Sequence, residues 1–386
     1  MKILLIIYDA TTVGGVERVV SNLSNTFLEN KHEICVISLY GYDKKDRKLP
    51  FLYEEQIKLY FLKHIHSKEL QFLKASNIFL KLLREILRPA VQTINFFIKR
   101  SKSSEFKNII SNFKPDFILD NSYSSIFDNY LSNQKAIKVI HLGFNIYKNV
   151  ELKYENIILL SSQELDSYKT KYPNSNFYII PNFIPNISNL NTDYSKKCVV
   201  SIGRMDGSNQ KGFLRLIDIW KLIQDNKEFK DWKLHIVGDG ELKEKIENKI
   251  KDLNLTNSII LKPFTKDVEN EYLSASIYAM TSHFEGLPMV LIEAQSYALP
   301  TISFDIATGP RDIIEDDKSG YIIEDNNLNE YATKLKTLMS DENLRAKMGA
   351  KSKEIVKSKF SKEVVMKQWM ELFERIKNKD NYREVK

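Results

Sequence analysis

The sequence from residue 198 to residue 224 is CVVSIGRMDGSNQKGFLRLIDIWKLIQ. Its first five residues, Cys198–Ile202, form a mainly apolar run without a charged residue. Such a run is typical of a strand buried on both faces of a parallel sheet. After Gly203 and a polar loop, apolar residues recur over Phe213–Gln224 at the spacing of an amphipathic helix. A buried strand that leads through a glycine into a helix is the first half of a βαβ unit. This stretch therefore predicts a doubly wound α/β fold.

The same alternation of strand and helix patterns continues on both sides of this stretch. Strands are predicted at residues 3–7, 34–39, 117–119, 137–140, 157–160 and 177–180, and then at 198–202, 233–237, 258–261, 277–280 and 301–304. Helices are predicted at 16–28, 163–171, 213–224, 241–253, about 288–297, and through the tail from 327 onward. Residues 181–195 are rich in Pro, Asn and Ser and predict a linker. We therefore expect two successive parallel sheets, each covered by helices on both faces.

Composition excludes several classes of protein. The chain has 386 residues and two cysteines, Cys35 and Cys198, each inside an apolar run that predicts a buried, reduced thiol. No apolar run reaches the roughly 18 residues of a spanning helix. The apolar run at the N-terminus is too short for a secretory signal and predicts a strand instead. These features together predict a cytoplasmic protein.

Two basic residues after the strand Cys198–Ile202 suit a diphosphate. Arg204 stands at the carboxyl end of that strand, and Lys211 stands just before the next predicted helix. Doubly wound sheets bind ligands beyond the carboxyl ends of their strands. A guanidinium is a planar fork and an ammonium is a point charge, so together they can hold two phosphates. The alternative is that both are solvated surface cations.

A second candidate is the acidic and apolar segment from His283 to Glu293, HFEGLPMVLIE. Glu285 precedes a predicted helix, and Glu293 lies one to two turns inside it on an apolar face. A carboxylate in such a setting needs a hydrogen-bonding partner, and the diol of a ribose would serve. The free amides of the first helical turn, near Met289 and Val290, could bind phosphate oxygens. Two unrelated surface glutamates remain the alternative.

Other strand ends carry weaker candidates. Gly14 and Gly15 open the first predicted helix, where glycines let backbone amides approach an anion, but the full dinucleotide-binding fingerprint is absent. His141 follows the predicted strand at 137–140. The segment DIATGPRD at 305–312 again offers amides and a hydroxyl after a strand. For each of these the alternative is a plain turn or a structural side chain.

Together these motifs resemble glycosyltransferase family 4 of the bacterial surface-polysaccharide type. The resemblance covers nearly the whole chain and is strongest from about residue 199 to residue 320. It is carried by Gly203-Arg204, Lys211-Gly212, Val237-Gly238-Asp239-Gly240, Glu285 with Glu293, Ala298-Leu299-Pro300-Thr301 and Gly320, in this order, with Ile180-Pro181-Asn182 before the linker. The resemblance implies the GT-B fold, in which two Rossmann-like domains with parallel sheets face each other. A final helix, here about 362–376, is expected to cross back to the first domain.

The resemblance also implies a separate function for each domain. Residues 1–190 would form the acceptor-binding domain, with an insertion at about 70–102. Residues 191–360 would form the nucleotide-sugar domain, and residues 361–386 would hold the helix that packs back on the first domain.

The resemblance assigns roles to the candidate residues. Arg204 and Lys211 would hold the donor diphosphate and stabilise the leaving group, while Glu285 and His141 would lie at the transferred sugar. These four are the expected catalytic residues, and Glu293 would bind the ribose hydroxyls. The remaining residues expected to bind the donor are Gly14, Gly15, Gly203, Gly286, Leu287, Met289 and Val290, with Pro263 and Phe264 at the nucleotide base.

No metal or other cofactor is expected. No cluster of Asp or His has the spacing of a metal site, and the family needs none, so Arg204, Lys211 and helix N-termini would supply the positive charge. The family retains the anomeric configuration. Because no well-placed nucleophile is identifiable, we favour same-face attack with the departing phosphate accepting the acceptor's proton. The common Phe-Gly is Leu287-Pro288 here, and the common Gly-Gly-x-x-Glu is Thr308-Gly309-Pro310-Arg311-Asp312, which leaves the donor sugar open.

A basic amphipathic segment interrupts the βαβ rhythm at residues 70–102. Residues 68–102 contain eight Lys or Arg and two Glu, nearly the whole excess charge of a chain whose formal net charge is +7. Aromatic residues alternate with the basic ones, which are Lys81, Arg84, Arg88, Lys99 and Arg100 among others. This composition is typical of a helix that lies on an anionic membrane. The alternative is a helical hairpin packed on the first domain.

The predicted function is transfer of a hexose or N-acetylhexosamine from a nucleotide diphosphate sugar, UDP-linked by analogy. The acceptor would be lipid-linked or a glycan, in surface-polysaccharide assembly at the inner face of the plasma membrane. Two other functions stay open: a nucleotide-sugar epimerase of the same fold, and a non-catalytic nucleotide-sugar-binding subunit. Nucleic acid is not an expected partner, because the basic segment lacks a recognisable binding motif.

Overall fold

The protein folds as alternating strands and helices. The computed structural model describes residues 1–41, 49–62, 103–123, 127–132 and 136–384. The strands are β1 (Lys2–Ile7), β2 (Glu33–Ser38), β3 (Lys58–Phe61), β4 (Phe117–Asp120), β5 (Ala136–Ile140), β6 (Asn156–Leu159), β7 (Asn176–Ile179), β8 (Cys198–Ile202), β9 (Lys233–Val237), β10 (Ile259–Lys262), β11 (Ile277–Met280), β12 (Thr301–Asp305) and β13 (Gly320–Glu324). The helices are α1 (Gly15–Glu29), α2 (residues 103–113), α3 (Asp128–Leu131), α4 (Phe144–Tyr147), α5 (Leu165–Lys171), α6 (Phe213–Gln224), α7 (Lys243–Asp252), α8 (Val268–Leu273), α9 (Met289–Ser296), α10 (Pro310–Ile313), α11 (Leu328–Ser340), α12 (Glu342–Lys359) and α13 (Lys362–Glu384).

The first sheet has seven strands in the order β3-β2-β1-β4-β5-β6-β7. Its strand β1 pairs in parallel with β2 and β4, so that Ile3 lies opposite both Ile34 and Phe117. The apolar residues of β1 are buried on both faces, which is why the run is uninterrupted. The strand order reverses between β1 and β4, and the segments that follow these two strands therefore flank a switch point where ligands commonly bind.

The second sheet has six strands in the order β10-β9-β8-β11-β12-β13, and its pairs are parallel. Its order reverses between β8 and β11. Gly203 follows β8, and Thr281 begins the segment after β11 that leads to Glu285. Two of the predicted donor-site segments therefore emerge on the two sides of this second switch point.

Local sequence explains where several helices of the second half begin. Gly212 precedes α6 in a left-handed conformation, with φ +66°. Asp267, Asn327 and Asp341 precede α8, α11 and α12, and each side chain accepts a hydrogen bond from the third backbone N–H that follows it. Such caps satisfy amide groups that have no partner inside the helix.

The two cysteines belong to the core. Cys35 in β2 and Cys198 in β8 are buried free thiols, which confirms the prediction. Burial raises the pKa of each thiol to about 12. Both therefore behave as small apolar side chains at neutral pH rather than as reactive thiolates.

Packing divides the chain into two compact units. Unit 1 comprises Met1–Val139 and Leu152–Ile157, and unit 2 comprises Ile140–Glu151 and Ile158–Lys386. Within unit 2, the Arg375 guanidinium of α13 lies 5.5 Å from the ring centroid of Tyr178 in β7. The final helix thus contacts the last strand of the first sheet, and its return to the first domain stays a prediction. The predicted domain boundaries at 190 and 360 stay predictions.

The predicted membrane-docking residues Lys81, Arg84, Arg88, Lys99 and Arg100 lie outside the described residues. The helices of the part of the chain that the structure describes are all too short or too polar to span a membrane.

Candidate active site

The residues that follow β8 bring Lys211 against Gly203. A β-carbon added at Gly203 would lie 2.8 Å from Lys211 Cγ, so the lysine stem crosses this glycine closely. The next residue, Gly212, has φ +66°, and a β-carbon there would lie 1.8 Å from the carbonyl oxygen of Thr281. Glycine at both positions therefore allows the Lys211 segment to pack directly on the segment that follows β11.

Lys211 forms an ion pair with Glu285. The Lys211 Nζ atom lies 2.6 Å from Glu285 Oε1, and the two side chains are 20% and 10% exposed. Two further bonds hold the same loop: His283 N–H donates to the Gln210 carbonyl at 2.8 Å, and Gln210 Nε2 donates to the Phe284 carbonyl at 3.1 Å. Two predicted catalytic residues that are 74 positions apart in the sequence are therefore adjacent in the fold.

The other residues predicted around the nucleotide lie at strand ends of the same sheet. Arg204 is exposed and directly follows Gly203 after β8. Pro263 and Phe264 follow β10, and Phe264 is 59% exposed. All of them emerge at the carboxyl edge of the sheet that carries Lys211. Their roles at the diphosphate and at the base stay predictions.

Helix α9 presents its first turn beside Glu285. It begins at Met289, one residue later than predicted, with Pro288 as its N-cap at φ −72° and ψ 94°. Leu287 is buried, while Met289 and Val290 are half-buried. The first amides of a helix have no partner within the helix, and the helix dipole favours negative charge at that end.

Glu293 lies on the buried face of α9. It is 5% exposed, and its Oε2 accepts a hydrogen bond from the Tyr272 hydroxyl at 3.0 Å. The Tyr272 ring in turn stacks on Tyr297, with the ring centroids 5.4 Å apart. The buried carboxylate therefore has a hydroxyl partner, as its setting required, and this partner is a phenol. Ribose binding by Glu293 stays a prediction.

His141 contacts the loop that carries Glu285. It follows β5, belongs to unit 2 and is 7% exposed. A β-carbon added at Gly286 would lie 2.0 Å from the His141 carbonyl oxygen, so this close approach requires a glycine. Three of the four predicted catalytic residues, His141, Lys211 and Glu285, thus lie in one continuous set of contacts.

Sequence reasoning missed the polar residues that follow β6. Gln163 Oε1 accepts a hydrogen bond from the Gly309 backbone N–H at 2.6 Å. The Asp312 carboxylate accepts bonds from the hydroxyls of Ser161 at 2.5 Å and Ser162 at 3.2 Å. This Ser-Ser-Gln segment follows β6 as His141 follows β5, so its position after a strand is the sequence signal that marks it.

Glu164 belongs to the same missed segment. Its Oε2 accepts a hydrogen bond from the Phe144 N–H, the first residue of α4, at 2.6 Å. Burial raises the pKa of Glu164 above its ordinary value, and the bond from Phe144 opposes this rise. A β-carbon at Gly143 would lie 3.4 Å from both carboxylate oxygens and 3.6 Å from Thr308 Oγ1. Gly143 therefore lies beside both the Glu164 carboxylate and the Thr308 hydroxyl.

Gly14 and Gly15 belong to unit 1, at the N-terminus of α1. Gly14 is the N-cap with extended backbone, φ −158°, and a β-carbon there would lie 2.2 Å from Glu17 Oε2. The side chain of Glu17 therefore folds over the glycine. The predicted contribution of the two glycines to a phosphate-binding surface stays a prediction.

The site in unit 2 offers a cation, a carboxylate and the N-terminus of α9. This set suits a ligand that is anionic at one end and rich in hydroxyls at the other. Among the residues that the structure describes, no three His, Cys, Asp or Glu side chains are grouped so that they could hold a metal ion. Metal independence stays a prediction.

A family comparison identifies the second half of the chain. Residues 184–355 match the family model described as glycosyl transferases group 1. The match contains Lys211, Glu285 and Glu293, and it does not reach unit 1.

Curated relatives are also glycosyltransferases. Amylovoran biosynthesis glycosyltransferase AmsD of Erwinia amylovora is 35% identical over 56% of this chain and 62% of its own length. An uncharacterized glycosyltransferase of Haemophilus influenzae is 27% identical over 95% of this chain and 98% of its own length. Poly(ribitol-phosphate) alpha-N-acetylglucosaminyltransferase of Staphylococcus aureus is 34% identical over 65% of this chain and 53% of its own length. The chain thus spans less than two thirds of the first and third of these relatives.

Solved structures share the fold along nearly the whole chain. A mutant of S. aureus TarM in complex with Fondaparinux, alpha-GlcNAc-glycerol and UDP has a TM-score of 0.76 at 20% identity, and the match covers 96% of this chain and 99% of that chain. The predicted GT-B fold, built from two parallel Rossmann-like sheets, is therefore confirmed.

The fold and the family match point to the same class of protein. The chain has the GT-B fold, and its residues 184–355 match the group 1 glycosyl transferase model, in line with the predicted class of enzyme. Glycosyl transfer by the whole protein stays a prediction. Membership of glycosyltransferase family 4, retention of configuration, and the identities of donor and acceptor stay predictions.

Proposed function

We propose that the protein is a family 4 enzyme that transfers a hexose or an N-acetylhexosamine from a UDP-sugar, with retention of configuration. The acceptor is lipid-linked or a glycan in cell-surface polysaccharide assembly. The observation that carries this proposal is the 2.6 Å ion pair of Lys211 and Glu285 at the carboxyl edge of the second sheet. A sugar nucleotide supplies a new partner for each member: a diphosphate for the ammonium and hydroxyls for the carboxylate.

The donor and acceptor classes rest on the relatives. TarM was solved with UDP, and a relative at 34% identity is named for N-acetylglucosaminyl transfer to poly(ribitol-phosphate). AmsD is named for amylovoran biosynthesis. A UDP donor, an N-acetylhexosamine or hexose, and a polymer acceptor follow for this chain by similarity to those proteins.

In the proposed reaction, donor binding separates Lys211 from Glu285 and gives each side chain a new partner. Lys211 turns to the diphosphate, and Glu285 accepts hydrogen bonds from the transferred sugar. The bond from the sugar C1 to the diphosphate oxygen breaks, and the acceptor oxygen bonds to C1 on the same face. The acceptor's hydroxyl proton passes to the leaving phosphate oxygen. Lys211, Arg204 and the first amides of α9 stabilise the charge that develops on the leaving group.

A binding screen followed by a transfer assay tests the proposal. A ligand that binds only the folded state raises thermal stability, so we expect UDP and one UDP-sugar to stabilise the protein more than other nucleotides do. With that donor, Arg204→Ala and Lys211→Ala each reduce turnover by roughly a hundredfold or more, as loss of a transition-state donor does. Lys245→Ala, which removes an exposed lysine of α7, serves as the control.

Three results would contradict the proposal. Unchanged turnover in both variants excludes the assigned charge stabilisation. Conversion of the UDP-sugar in the absence of any acceptor indicates an epimerase. Tight binding of a UDP-sugar without transfer to any glycan or lipid-linked acceptor indicates a binding subunit.

We also propose that residues 70–102 hold the enzyme on the inner face of the plasma membrane. The support is the composition of this segment, since basic and aromatic side chains together favour an anionic lipid surface. In flotation with vesicles that contain acidic lipids, the variant with Lys81, Arg84 and Arg88 changed to Gln should float less than the wild type. Lys245, Lys251 and Lys357, exposed in unit 2, are the matched set to neutralise as a control. Equal flotation of the wild type and the first variant would contradict membrane docking by this segment.

A further inference from the structure

The segment after β6 is bonded to the loop after β12 at two places. Gln163 Oε1 accepts the Gly309 N–H at 2.6 Å. Asp312 accepts the Ser161 hydroxyl through Oδ2 and the Ser162 hydroxyl through Oδ1. All of these residues belong to unit 2, and Gly309 is buried. Since a buried amide must be satisfied, the Gln163 side chain determines where the Gly309 backbone can lie.

The loop after β12 is in turn bonded to the Glu285 loop. Thr308 Oγ1 donates to the Glu285 carbonyl at 2.6 Å. Gly309 has φ +98°, and a β-carbon there would lie 2.2 Å from Pro288 Cδ and 3.1 Å from the Gly286 carbonyl oxygen. The two loops are therefore packed without space between them, so a displacement of one displaces the other.

These contacts end at the proposed reacting groups. The Glu285 backbone is held by Thr308, and its carboxylate meets Lys211 at 2.6 Å. A continuous series of short contacts thus leads from Gln163 through Gly309 and Thr308 to Glu285. In this chain the sequence Thr-Gly-Pro-Arg-Asp supplies both ends of the connection, the Thr308 hydroxyl and the Asp312 carboxylate.

We propose that Gln163 and Asp312 are positioning residues that fix the Glu285 loop for sugar transfer. The inference rests on the proposed function, because it assigns Glu285 to the transferred sugar. Neither residue needs to touch the donor. Both act by holding the backbone of residues 308–312, which holds the backbone of residues 285–288. Misplacement of a reacting group by about 1 Å can reduce a rate by about a hundredfold.

Variants at residue 163 separate positioning from simple structural support. We expect Gln163→Ala to lower kcat by roughly tenfold to a hundredfold while the KM for the donor changes by less than about threefold. Gln163→Glu keeps an acceptor oxygen for the Gly309 N–H and should recover most of kcat. Asp312→Ala should resemble Gln163→Ala, and the double variant should lose less than the product of the two single effects, because both act on one loop.

Hydrogen exchange gives a readout that does not depend on activity. In Gln163→Ala the amides of residues 285–292 and 309–313 should exchange faster, while those of α6 and α11 remain as in the wild type. Thr333→Ala removes an exposed hydroxyl-to-carbonyl bond on α11 and serves as the matched control. If the wild type transfers no sugar, the proposed function fails, and this exchange measurement still tests the coupling of the loops.

Two outcomes would overturn the inference. One is unchanged kcat and unchanged exchange in both Gln163→Ala and Asp312→Ala. The other is a donor KM that falls in Gln163→Ala with kcat preserved, which would show that Gln163 competes with the donor rather than positioning the loop.

Discussion

Two lysine–carboxylate pairs in this protein have nearly the same length and very different surroundings. Lys138 Nζ lies 2.8 Å from Asp120 Oδ2, and the two side chains are 2% and 1% exposed. Lys211 Nζ lies 2.6 Å from Glu285 Oε1, with side chains 20% and 10% exposed. The first pair joins β4 to β5 inside unit 1, and the second joins two loops of unit 2. Distance alone therefore does not distinguish a structural pair from one at a candidate site.

The buried pair has protein partners on every side. Lys138 Nζ also donates to the Ser122 carbonyl at 2.6 Å. Asp120 accepts bonds from the Ser122 N–H and hydroxyl at 2.9 and 2.7 Å, and from the Tyr154 hydroxyl at 2.6 Å. Buried charges are tolerated only when they are paired and hydrogen-bonded in this way. This pair is part of the fold, and a ligand could not replace either partner without opening the core.

The pair of Lys211 and Glu285 joins two loops at the carboxyl edge of the second sheet, and Glu285 lies four residues before the first residue of α9. Partial exposure allows water or a ligand to approach both groups, so the pair can exchange partners at moderate cost. The comparison teaches that burial and the number of internal partners are the features that distinguish the two lysines. Three variants test this difference, in order of decreasing effect.

The largest effect is expected for Lys138→Ala. Removing the ammonium leaves the Asp120 carboxylate buried without its counter-charge, and we expect the free energy of unfolding to fall by about 3 to 5 kcal/mol. Urea denaturation of the variant and of the wild type, each followed by a spectroscopic probe in unit 1, measures this loss of stability. The double variant Lys138→Ala with Asp120→Ala should recover part of the loss, because it removes the stranded charge. A loss below about 1 kcal/mol would mean that this pair contributes no more to stability than an exposed salt bridge does.

Lys211→Ala should affect ligand binding more than folding. We expect the free energy of unfolding to fall by only about 1 to 2 kcal/mol, between the values for exposed and buried pairs. UDP should bind roughly tenfold to a hundredfold more weakly, since a hydrogen bond to a charged group is lost. Calorimetric titration with UDP and urea denaturation of the same sample provide both values. Unchanged UDP affinity together with a stability loss as large as that of Lys138→Ala would remove the distinction between the two lysines.

The smallest effect is a pH dependence of the buried network. The Tyr154 hydroxyl contacts Asp120 at 2.6 Å and Asp128 Oδ1 at 3.0 Å, yet it has one proton to donate. Burial raises the pKa of Asp128 above its ordinary value, with Asp120 adding to the rise and Lys138, Tyr154 and Lys153 opposing it. A protonated Asp128 can donate to the phenol oxygen and complete the network.

The sign of this dependence follows from the raised pKa. The folded state holds the Asp128 proton more tightly than the unfolded state does, so the stabilisation is present below pH 3.8 and is lost as pH rises through the folded pKa. In Asp128→Asn, an amide donor replaces the proton at every pH. Wild-type stability measured relative to this variant should therefore decrease as pH rises above 3.8. A difference that is flat or increases over this range would contradict a protonated Asp128.

Most of the fold could be predicted because buried parallel strands are continuous apolar runs. The predicted strands at 198–202, 233–237 and 277–280 have the observed bounds, and the others differ by a residue or two. Strand β3 (Lys58–Phe61) was missed because it is an edge strand with alternating exposure and a lysine at its start. Strand β13 was missed because it begins at a glycine, a residue depleted in strands. In the fold, a β-carbon at Gly320 would lie 1.9 Å from the Thr301 carbonyl oxygen, so a glycine is needed there.

The site was predicted in part, from residue types at strand ends. That argument found Lys211, Glu285 and His141, but not that the first two pair with each other, because their separation of 74 residues is invisible to local patterns. Gln163 was missed since a glutamine after a strand has no distinctive chemistry until its amide partner is known. Lys138 lies within an apolar strand pattern, and only the fold reveals its partner carboxylate, Asp120, 18 residues away.

One consequence of the Lys211–Glu285 contact concerns selectivity among the many small anions of a cell. In the free protein the Lys211 ammonium already has a counterion, the Glu285 carboxylate, 2.6 Å away. Inorganic phosphate could take the ammonium only by leaving a carboxylate beside a second negative charge, and like charges at that distance repel. A sugar nucleotide brings hydroxyl donors for the carboxylate together with phosphates for the lysine. If the proposed donor binds at this pair, the ion pair disfavours a bare anion and favours a ligand that carries both chemical groups at the right separation.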